Sequence, residues 1–393
     1  MNRLAAAAAD FILASFDEEA TPLPGVEWAE LTRTLASLED RLDGDERRTD
    51  WFEPLHDAMK RAGAWTWAAS RSLPRGEMLA RYARLAQGSL TAALILTQHD
   101  AAVRRLIQAV DSESSGKAVA SEWLKQIVAG EAFPTAGLSQ LTTSTRRGTR
   151  AVTARAEPDG GWRIDGIIPW VTAASRADLI VVGAVTEENQ QILAALPTRR
   201  EGVRVEEAMN LAALEGTETA EVSCRAVRID PDEVLIGPVA NALAGATGGL
   251  ETSALALGQS RAAIAALHDL ATTQHHGGLD EVATGLAGAW RLLWAGLENL
   301  ADDSPSAASQ AGASAQRAAL LRGAANDLAL RATQAYLIAR RGSGLIRPDP
   351  AQRWARQALF FLVWSCPSTV AQTALGHLAA CPTEFDSDLP AQL

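Results

Sequence analysis

Cysteine is scarce in this sequence, with three residues in a chain of 393. Cys224, Cys366 and Cys381 are far apart, and no Cys-x-x-Cys or Cys/His spacing accompanies them. The pattern therefore predicts no metal site. Isolated cysteines of this kind are typical of small core thiols in a reducing compartment.

Long apolar runs and an excess of basic charge are also missing. No stretch approaches the roughly 18 apolar residues that a membrane span needs, and the alanine-rich start lacks the apolar core and cleavage site of a secretory signal. The formal net charge is −11, which argues against nucleic acid and anionic membranes as main partners. We therefore expect a soluble, cytoplasmic protein that binds neither nucleic acid nor membranes.

The composition is otherwise that of a globular protein, because 47% of the residues are hydrophobic and 21% are charged. At this length two or three domains are expected. The apolar pattern changes twice along the chain, from helical spacing to short alternating runs and back to helical spacing. The sequence therefore predicts an α+β protein with an N-terminal helical domain (1–131), a middle β-barrel or sandwich domain (132–240) and a C-terminal helical domain (241–393).

Individual elements follow from the same patterns. Helical spacing predicts helices over Trp28–Leu42, Met78–Leu106 and Ala118–Val128. Alternation bounded by Gly, Asp and Pro predicts strands over Ala151–Ala156, Trp162–Ile168, Leu179–Ala184, Gln191–Leu196, Gly202–Val205 and Ala220–Ile229. Two breaks interrupt the C-terminal helices: Asp302–Ser314, a polar stretch predicted to be a mobile loop, and Arg340–Pro350.

Five segments then occur in a characteristic order. They are Gly88–His99, Gly161–Ala184 with the tripeptide Trp170-Val171-Thr172, Met209–Gly237 ending in a Pro-x-x-x-Leu-x-Gly turn, Gly248–Leu267, and Arg341–Ala358. In order and spacing they resemble the acyl-CoA dehydrogenase family, over most of the chain from about Gly76 to Ala380. The resemblance implies that family's fold, in which the C-terminal domain is a four-helix bundle, and a bound FAD.

The resemblance implies a flavin site around the Trp-Val-Thr tripeptide. A flavin ring needs an apolar wall and hydrogen-bond donors at N5 and O2, where reduction places electron density. By resemblance, Trp170 walls one face of the ring, Thr172 donates toward N5, and Val171 belongs to the same cofactor-binding tripeptide. Leu141 and Thr142 match a second strand end that contacts the flavin. The alternative is that Trp170 is a core aromatic residue and Thr172 an ordinary strand residue.

On the adenosine side of FAD, Gly342, Ser343 and Gly344 match the family's glycine-rich segment, which lies at a subunit interface. Glycines let the backbone approach a phosphate or an adenosine closely. The family's Arg and Gln contacts to this part of FAD are missing, and the Gln position is Ile338. The resemblance implies a homodimer or homotetramer. The alternative reading of the glycines is a tight helix–helix turn.

The family's usual catalytic base is also missing. Acyl-CoA dehydrogenation removes an α-proton while a hydride leaves Cβ, which needs a carboxylate of raised pKa in a dry pocket. By resemblance, Ser365 replaces the usual Glu, and Pro367 replaces a Thr that contacts the flavin. A minority of the family places the base on the first C-terminal helix, where this chain has Glu251. The alternative for Glu251 is an exposed first-turn carboxylate stabilised by the helix N-terminus.

Two further clusters have both a functional and an ordinary interpretation. Arg146, Arg147 and Arg150 match a family segment near flavin and substrate, so they either hold a substrate phosphate or carboxylate or form a solvated strand edge. His275 and His276 form a pair in a polar loop, which is more often solvated than metal-binding.

Three functions are consistent with these residues. The first is α,β-dehydrogenation of an acyl thioester, such as an acyl-CoA, by an FAD enzyme that passes electrons to an electron-transfer flavoprotein. The second is a two-component monooxygenase on the same fold, which takes reduced flavin from a flavin reductase. The third is a non-catalytic homologue that binds flavin or acyl chains.

Overall fold

A computed structural model describes residues 26–43, 51–70, 72–112, 114–141, 151–243, 250–275, 277–302, 308–364, 370–371 and 375. These residues form two compact units. Unit 1 takes its residues from Met1–Ala58, Pro74–Ala93 and Thr247–Leu393, and unit 2 from Met59–Leu73 and Leu94–Ala246. The three-domain boundaries stay a prediction, because they were drawn where the apolar pattern of the sequence changes and not from contacts between residues.

Unit 1 is helical. Its helices are α1 (Trp28–Asp43), α3 (Arg75–Gly88), α6 (Leu250–Gln274), α7 (Gly277–Asp302), α8 (Ala308–Arg340), α9 (Pro350–Ala358) and α10 (Phe360–Val363), while α2 (Phe52–Arg61) and α4 (Leu90–Asp111) each contribute residues to both units. Residues 252–261 of α6 are all buried, so this part of the helix has no solvent face and is a core element. Gly258 permits its close packing on α3, because a Cβ there would lie 2.2 Å from the carbonyl oxygen of Ala83.

Buried polar groups attach α1 to α9 within unit 1. The carboxylate of Asp43 accepts hydrogen bonds from Gln352 and Arg356, and Arg353 pairs with Asp40 at 2.7 Å. One turn earlier, Glu39 accepts from the amide of Gln357 at 3.2 Å. Buried carboxylates persist in a protein when such donors compensate for lost hydration.

Unit 2 is built on one mixed sheet of eight strands. The strands are β1 (Pro134–Gly137), β2 (Val152–Ala156), β3 (Trp162–Val171), β4 (Leu179–Thr186), β5 (Gln191–Pro197), β6 (Val203–Val205), β7 (Ala220–Ile229) and β8 (Val234–Val239). Their order is β6-β7-β3-β2-β4-β5-β8, with β1 also paired to β4. Neighbours are antiparallel except that β1 and β2 both run parallel to β4, β1 beside its first half and β2 beside its end.

The sheet is covered on both faces at β4. Ile180, Val182 and Ala184 of β4 join one apolar cluster with residues of β2, β3, β5 and β7. The alternate residues Leu179 and Val181 join a second cluster with residues of α4 and of α5 (Lys117–Ala129). A strand buried on both faces needs a continuous apolar run, which is what β4 has.

Most predicted elements are confirmed, with differences that have local causes. The six predicted strands are present, and β3 continues past Ile168 to Val171. The apolar repeat over Met78–Leu106 is two helices, because Ser89 is extended and its Oγ accepts from the backbone N–H of Ala92, 2.9 Å away, as an N-cap. The loop predicted for Asp302–Ser314 is wrong from Ala308 onward, where Ala-rich sequence begins α8. Among the helices of the described residues, none is long and apolar enough to span a bilayer.

Candidate functional site

The end of β3 brings three of the predicted site residues together. Trp170 exposes 44% of its surface, whereas Val171 is fully buried in the sheet core. Thr172, the first residue beyond the strand, exposes 1%. Trp170 and Val171 follow the alternation of the strand. Thr172, beyond the strand end, is buried again, so an exposed aromatic residue and a buried hydroxyl group lie two residues apart in the chain. The interpretation of Trp170 as an ordinary core aromatic does not fit this exposure.

Thr172 belongs to a chain of buried threonine hydroxyls. The Oγ1 atoms of Thr172 and Thr219 are 3.5 Å apart, and those of Thr219 and Thr217 are 2.8 Å apart. Thr217 Oγ1 donates to the carbonyl oxygen of Leu214 at 2.8 Å. From the other side, Thr135 Oγ1 donates to the carbonyl oxygen of Thr172 at 2.8 Å. The backbone and the side chain of Thr172 are therefore both held by neighbouring threonines.

The turn that carries Thr172 is strained and firmly attached to the loop that precedes β7. Ala173, Leu214 and Glu218 all have left-handed backbones, with φ of 53°, 63° and 44°. Ala173 N–H donates to the carbonyl of Thr217 at 2.8 Å. Non-glycine residues in this region cost on the order of 1 kcal/mol or more each and concentrate at functional sites.

An ion pair closes the same turn. Arg176 donates to both carboxylate oxygens of Glu218, at 2.9 and 3.0 Å, and Ser175 Oγ donates to that carboxylate at 2.7 Å. A bidentate guanidinium–carboxylate pair fixes relative orientation as well as distance. The positions of Thr172 and of the loop around Thr217 are therefore coupled.

Leu141 lies elsewhere in unit 2, as a core residue. It exposes 3% of its surface and packs in the cluster between the sheet and the helices. A Cβ on Gly183 would lie 2.5 Å from Leu141 Cδ1, so the absence of a side chain at Gly183 makes room for Leu141. Beside it, Gln140 Nε2 donates to the carbonyl oxygens of Gly137 and Gly183 at 2.7 and 2.8 Å. The flavin contact of Leu141 stays a prediction, and Thr142 lies outside the described residues.

Glu251 is the second residue of α6 in unit 1. It is half-buried between the buried residues Leu250 and Thr252, and one of its carboxylate oxygens is fully buried. Glu251 is thus a first-turn carboxylate that is only partly exposed, and its role as the base stays a prediction. Ser365 and Pro367, at the family's usual base position, lie outside the described residues, as do Arg146, Arg147 and Arg150.

The glycine-rich segment forms the turn between α8 and α9. Gly342 and Ser343 are exposed and Gly344 is buried. Gly344 lies close to the end of α8, where a Cβ would be 2.7 Å from Arg340 Cβ, whereas a Cβ on Gly342 would meet no atom within 4 Å. Asp349 holds the turn, since it accepts from Arg340 at 2.6 Å and from the N–H of Ala351 at 2.9 Å. Only Gly344 is thus required by the turn, and the exposed backbone at Gly342 and Ser343 is open to a ligand.

Exposed apolar residues flank this turn in the sequence. Ile338, Leu345, Ile346, Leu359 and Val363 are all exposed, the first to 75%. Several exposed apolar residues on one segment of the chain are typical of a surface that contacts another protein.

Cysteine and histidine form no metal centre in the described part of the chain, where no group of three or more metal-ligating side chains comes together. Burial raises the pKa of the Cys224 thiol to about 12, which makes it an inert core thiol. His275 is exposed and His276 lies outside the described residues.

Sequence reasoning missed Thr217 and Thr219. They precede β7 and are more than 40 residues from Thr172 in the chain. The Leu-Glu-Gly-Thr-Glu-Thr stretch has no strand or helix periodicity, and the pairing of β3 with β7, through Val171 and Ala220, brings it to the site. The pairing of two predicted strands could have revealed these residues, because residues that flank the ends of paired strands lie close together.

Comparison with known proteins places the fold. No protein-family model matches the chain, and no curated protein matches its sequence. Solved structures do match: the FMN-bound dibenzothiophene monooxygenase TdsC from Paenibacillus sp. A11-2 at a TM-score of 0.73 and 19% identity, over 88% of this chain and 94% of that one.

Two dehydrogenases match about equally well. Butyryl-CoA dehydrogenase from Megasphaera elsdenii has a TM-score of 0.69 at 16% identity, over 90% of this chain and 97% of that one. Glutaryl-CoA dehydrogenase from Mycobacterium smegmatis, in complex with FADH2, has a TM-score of 0.70 at 17% identity, over 91% and 95%. The chain therefore has the acyl-CoA dehydrogenase-like fold, as its motif order predicted.

Proposed function

We propose that this protein is a flavin-dependent oxidoreductase whose flavin ring lies against Trp170. The observation that carries the proposal is an exposed indole two residues before a buried hydroxyl, where the strand that the motif order indicated runs into a strained turn. An exposed tryptophan offers a flat apolar surface for a flavin ring. The neighbours of this fold, which are named as FMN-bound or FADH2-bound proteins, support the same cofactor class.

The side chains at this strand end fit a flavin. Trp170 supplies the apolar wall. Among the described residues, the acceptor for the hydrogen of the Thr172 hydroxyl is Thr219 Oγ1, 3.5 Å away. Because Thr172 is almost fully buried, its hydrogen bond to a ligand forms away from water and is correspondingly strong. A ligand that reaches this hydroxyl must displace the atoms that now cover it. The exposed backbone of Gly342 and Ser343 is the proposed contact for the adenosine part of FAD, with Gly344 shaping the turn.

The proposed reaction is α,β-dehydrogenation of an acyl thioester, with acyl-CoA as the substrate class. A bound flavin supplies the acceptor for the hydride that leaves the substrate's Cβ. Glu251 removes the α-proton: it is a partly buried carboxylate at the start of α6, the residue type that acts as a general base in this chemistry. Electrons then pass to an electron-transfer flavoprotein. The exposed apolar residues around the α8–α9 turn are the proposed contact between copies in a homodimer or homotetramer.

Glu251→Gln tests the reaction. The variant keeps size and hydrogen bonding but removes the base, so we expect it to bind FAD normally and to lose bleaching of the flavin by a panel of acyl-CoAs. The matched control is Glu281→Gln, which neutralises an exposed glutamate near the start of α7 and should keep wild-type bleaching. Unchanged bleaching in Glu251→Gln would show that the base assignment is wrong.

A flavin monooxygenase is the second candidate. The observation in its favour is that Ser365 stands where dehydrogenases of this fold carry their usual base, while an FMN-bound monooxygenase matches the structure. In this case a partner reductase supplies reduced flavin. The monooxygenase is supported if the protein, supplied with reduced FMN or FAD, consumes oxygen and forms an oxygenated product. A purified protein that takes up neither flavin indicates the third function, a non-catalytic homologue.

A further inference from the structure

The hydrogen-bond directions in the threonine chain at the end of β3 can be worked out from its partners. A carbonyl oxygen only accepts, so the 2.8 Å contact of Thr217 Oγ1 with Leu214 uses the one hydrogen of Thr217. The 2.8 Å contact between Thr217 and Thr219 must then use the hydrogen of Thr219. Thr219 Oγ1 is left with acceptor capacity alone toward Thr172.

The hydrogen of Thr172 therefore has two possible directions. It can point to Thr219, where the oxygen–oxygen distance of 3.5 Å makes a weak bond, or it can point to a ligand. When the hydrogen of Thr172 points away from Thr219, little hydrogen-bond energy is lost. When it points toward Thr219, the oxygen of Thr172 can accept a hydrogen bond from a ligand.

Flavin reduction reverses the hydrogen-bonding character of one ring nitrogen. N5 is an acceptor in the oxidised ring and carries a hydrogen, as a donor, in the reduced ring. A hydroxyl beside it serves both states only if its own hydrogen can move elsewhere when it accepts.

We propose that Thr217 and Thr219 are positioning residues that let Thr172 donate to oxidised flavin and accept from reduced flavin. The inference rests on the proposed flavin site. Thr217 fixes the hydrogen of Thr219, and Thr219 thereby offers Thr172 a permanent acceptor. The strained turn and the Arg176–Glu218 ion pair hold the three hydroxyls in register.

Two substitutions should weaken the binding of reduced flavin more than the binding of oxidised flavin. Thr219→Val removes the acceptor, so the hydrogen of Thr172 is unsatisfied whenever its oxygen accepts. Thr217→Val releases the hydrogen of Thr219 toward Thr172, which forces Thr172 to act as a donor. Loss of an ordinary buried hydrogen bond costs about 1 kcal/mol, which is about fivefold in Kd. Because the 3.5 Å contact is weaker than that, the ratio of the Kd for reduced flavin to the Kd for oxidised flavin should rise about two- to fivefold in each variant.

The controls are Thr219→Ser, which keeps the hydroxyl, and Thr153→Val, which removes a threonine hydroxyl bonded to the carbonyl of Asp165 in the same sheet. Both should keep the wild-type ratio. The Kd for oxidised FMN and FAD is measured by fluorescence titration of the full chain. The Kd for the dithionite-reduced flavins is measured by anaerobic ultrafiltration. Melting curves establish that each variant is folded.

A raised ratio in Thr219→Val and Thr217→Val, but not in the controls, supports the inference. An unchanged or lowered ratio overturns it while leaving the flavin site intact, since wild type still binds. If wild-type protein binds neither redox form of either flavin, the proposed function fails and the inference with it. Should Thr219→Val not fold, the sign of the change in Thr217→Val decides.

Discussion

Replacing Trp170 by alanine should remove most of the protein's affinity for flavin. Trp170 exposes 44% of its surface. For a side chain that can bury up to about 250 Å², that leaves roughly 110 Å² for a ligand to cover. At about 25 cal/mol per Å², full coverage corresponds to about 3 kcal/mol, or about a hundredfold in Kd. A ring that covers only part of the indole gives less, so we expect a loss between about tenfold and a hundredfold.

The assay is flavin titration of the purified chain with FMN and FAD, followed by fluorescence. Trp170→Phe keeps an aromatic face and should lose less affinity than the alanine variant. Ile167→Ala is the matched control, because Ile167 lies on the same strand and is exposed to a similar extent, 47%. Wild-type affinity in a folded Trp170→Ala protein, or an equal loss in Ile167→Ala, would refute the assignment of Trp170 as the wall of the flavin site.

Two further predictions concern packing and thiol chemistry. Gly258→Ala should lower stability by about 1–3 kcal/mol, since its Cβ would lie 2.2 Å from the Ala83 carbonyl oxygen. Gly285→Ala, on α7 with open space around it, should instead raise stability by about 0.5–1 kcal/mol; calorimetric melting of both variants checks this, and a common sign would contradict it. Burial raises the pKa of the Cys224 thiol to about 12, so Cys224 should resist iodoacetamide at pH 8 until the protein is denatured. Peptide mass spectrometry measures the labelling, and rapid labelling of the native protein would argue against a buried thiol.

Sequence patterns were sufficient for elements whose burial is simple. The alternation of β2 and the continuous apolar run of β4 both identify strands, because a side chain's face follows from its position in the strand. They failed where a neighbour overrides local preference. The short strand β1 depends on its pairing with β4, and β8 contains Gly237 and Pro238, which indicate a turn in isolation but are tolerated on a strand at the sheet edge.

The order of motifs by itself determined the fold and directed attention to Trp170, Thr172, Glu251 and the Gly342–Gly344 turn. Tertiary structure decided what these residues can do. Exposure made the indole of Trp170 available, burial made Leu141 a core residue, and the pairing of β3 with β7 placed Thr217 and Thr219 behind Thr172. Local sequence carries periodicity, which sets secondary structure, whereas hydrogen-bond direction and exposure depend on groups more than 40 residues away.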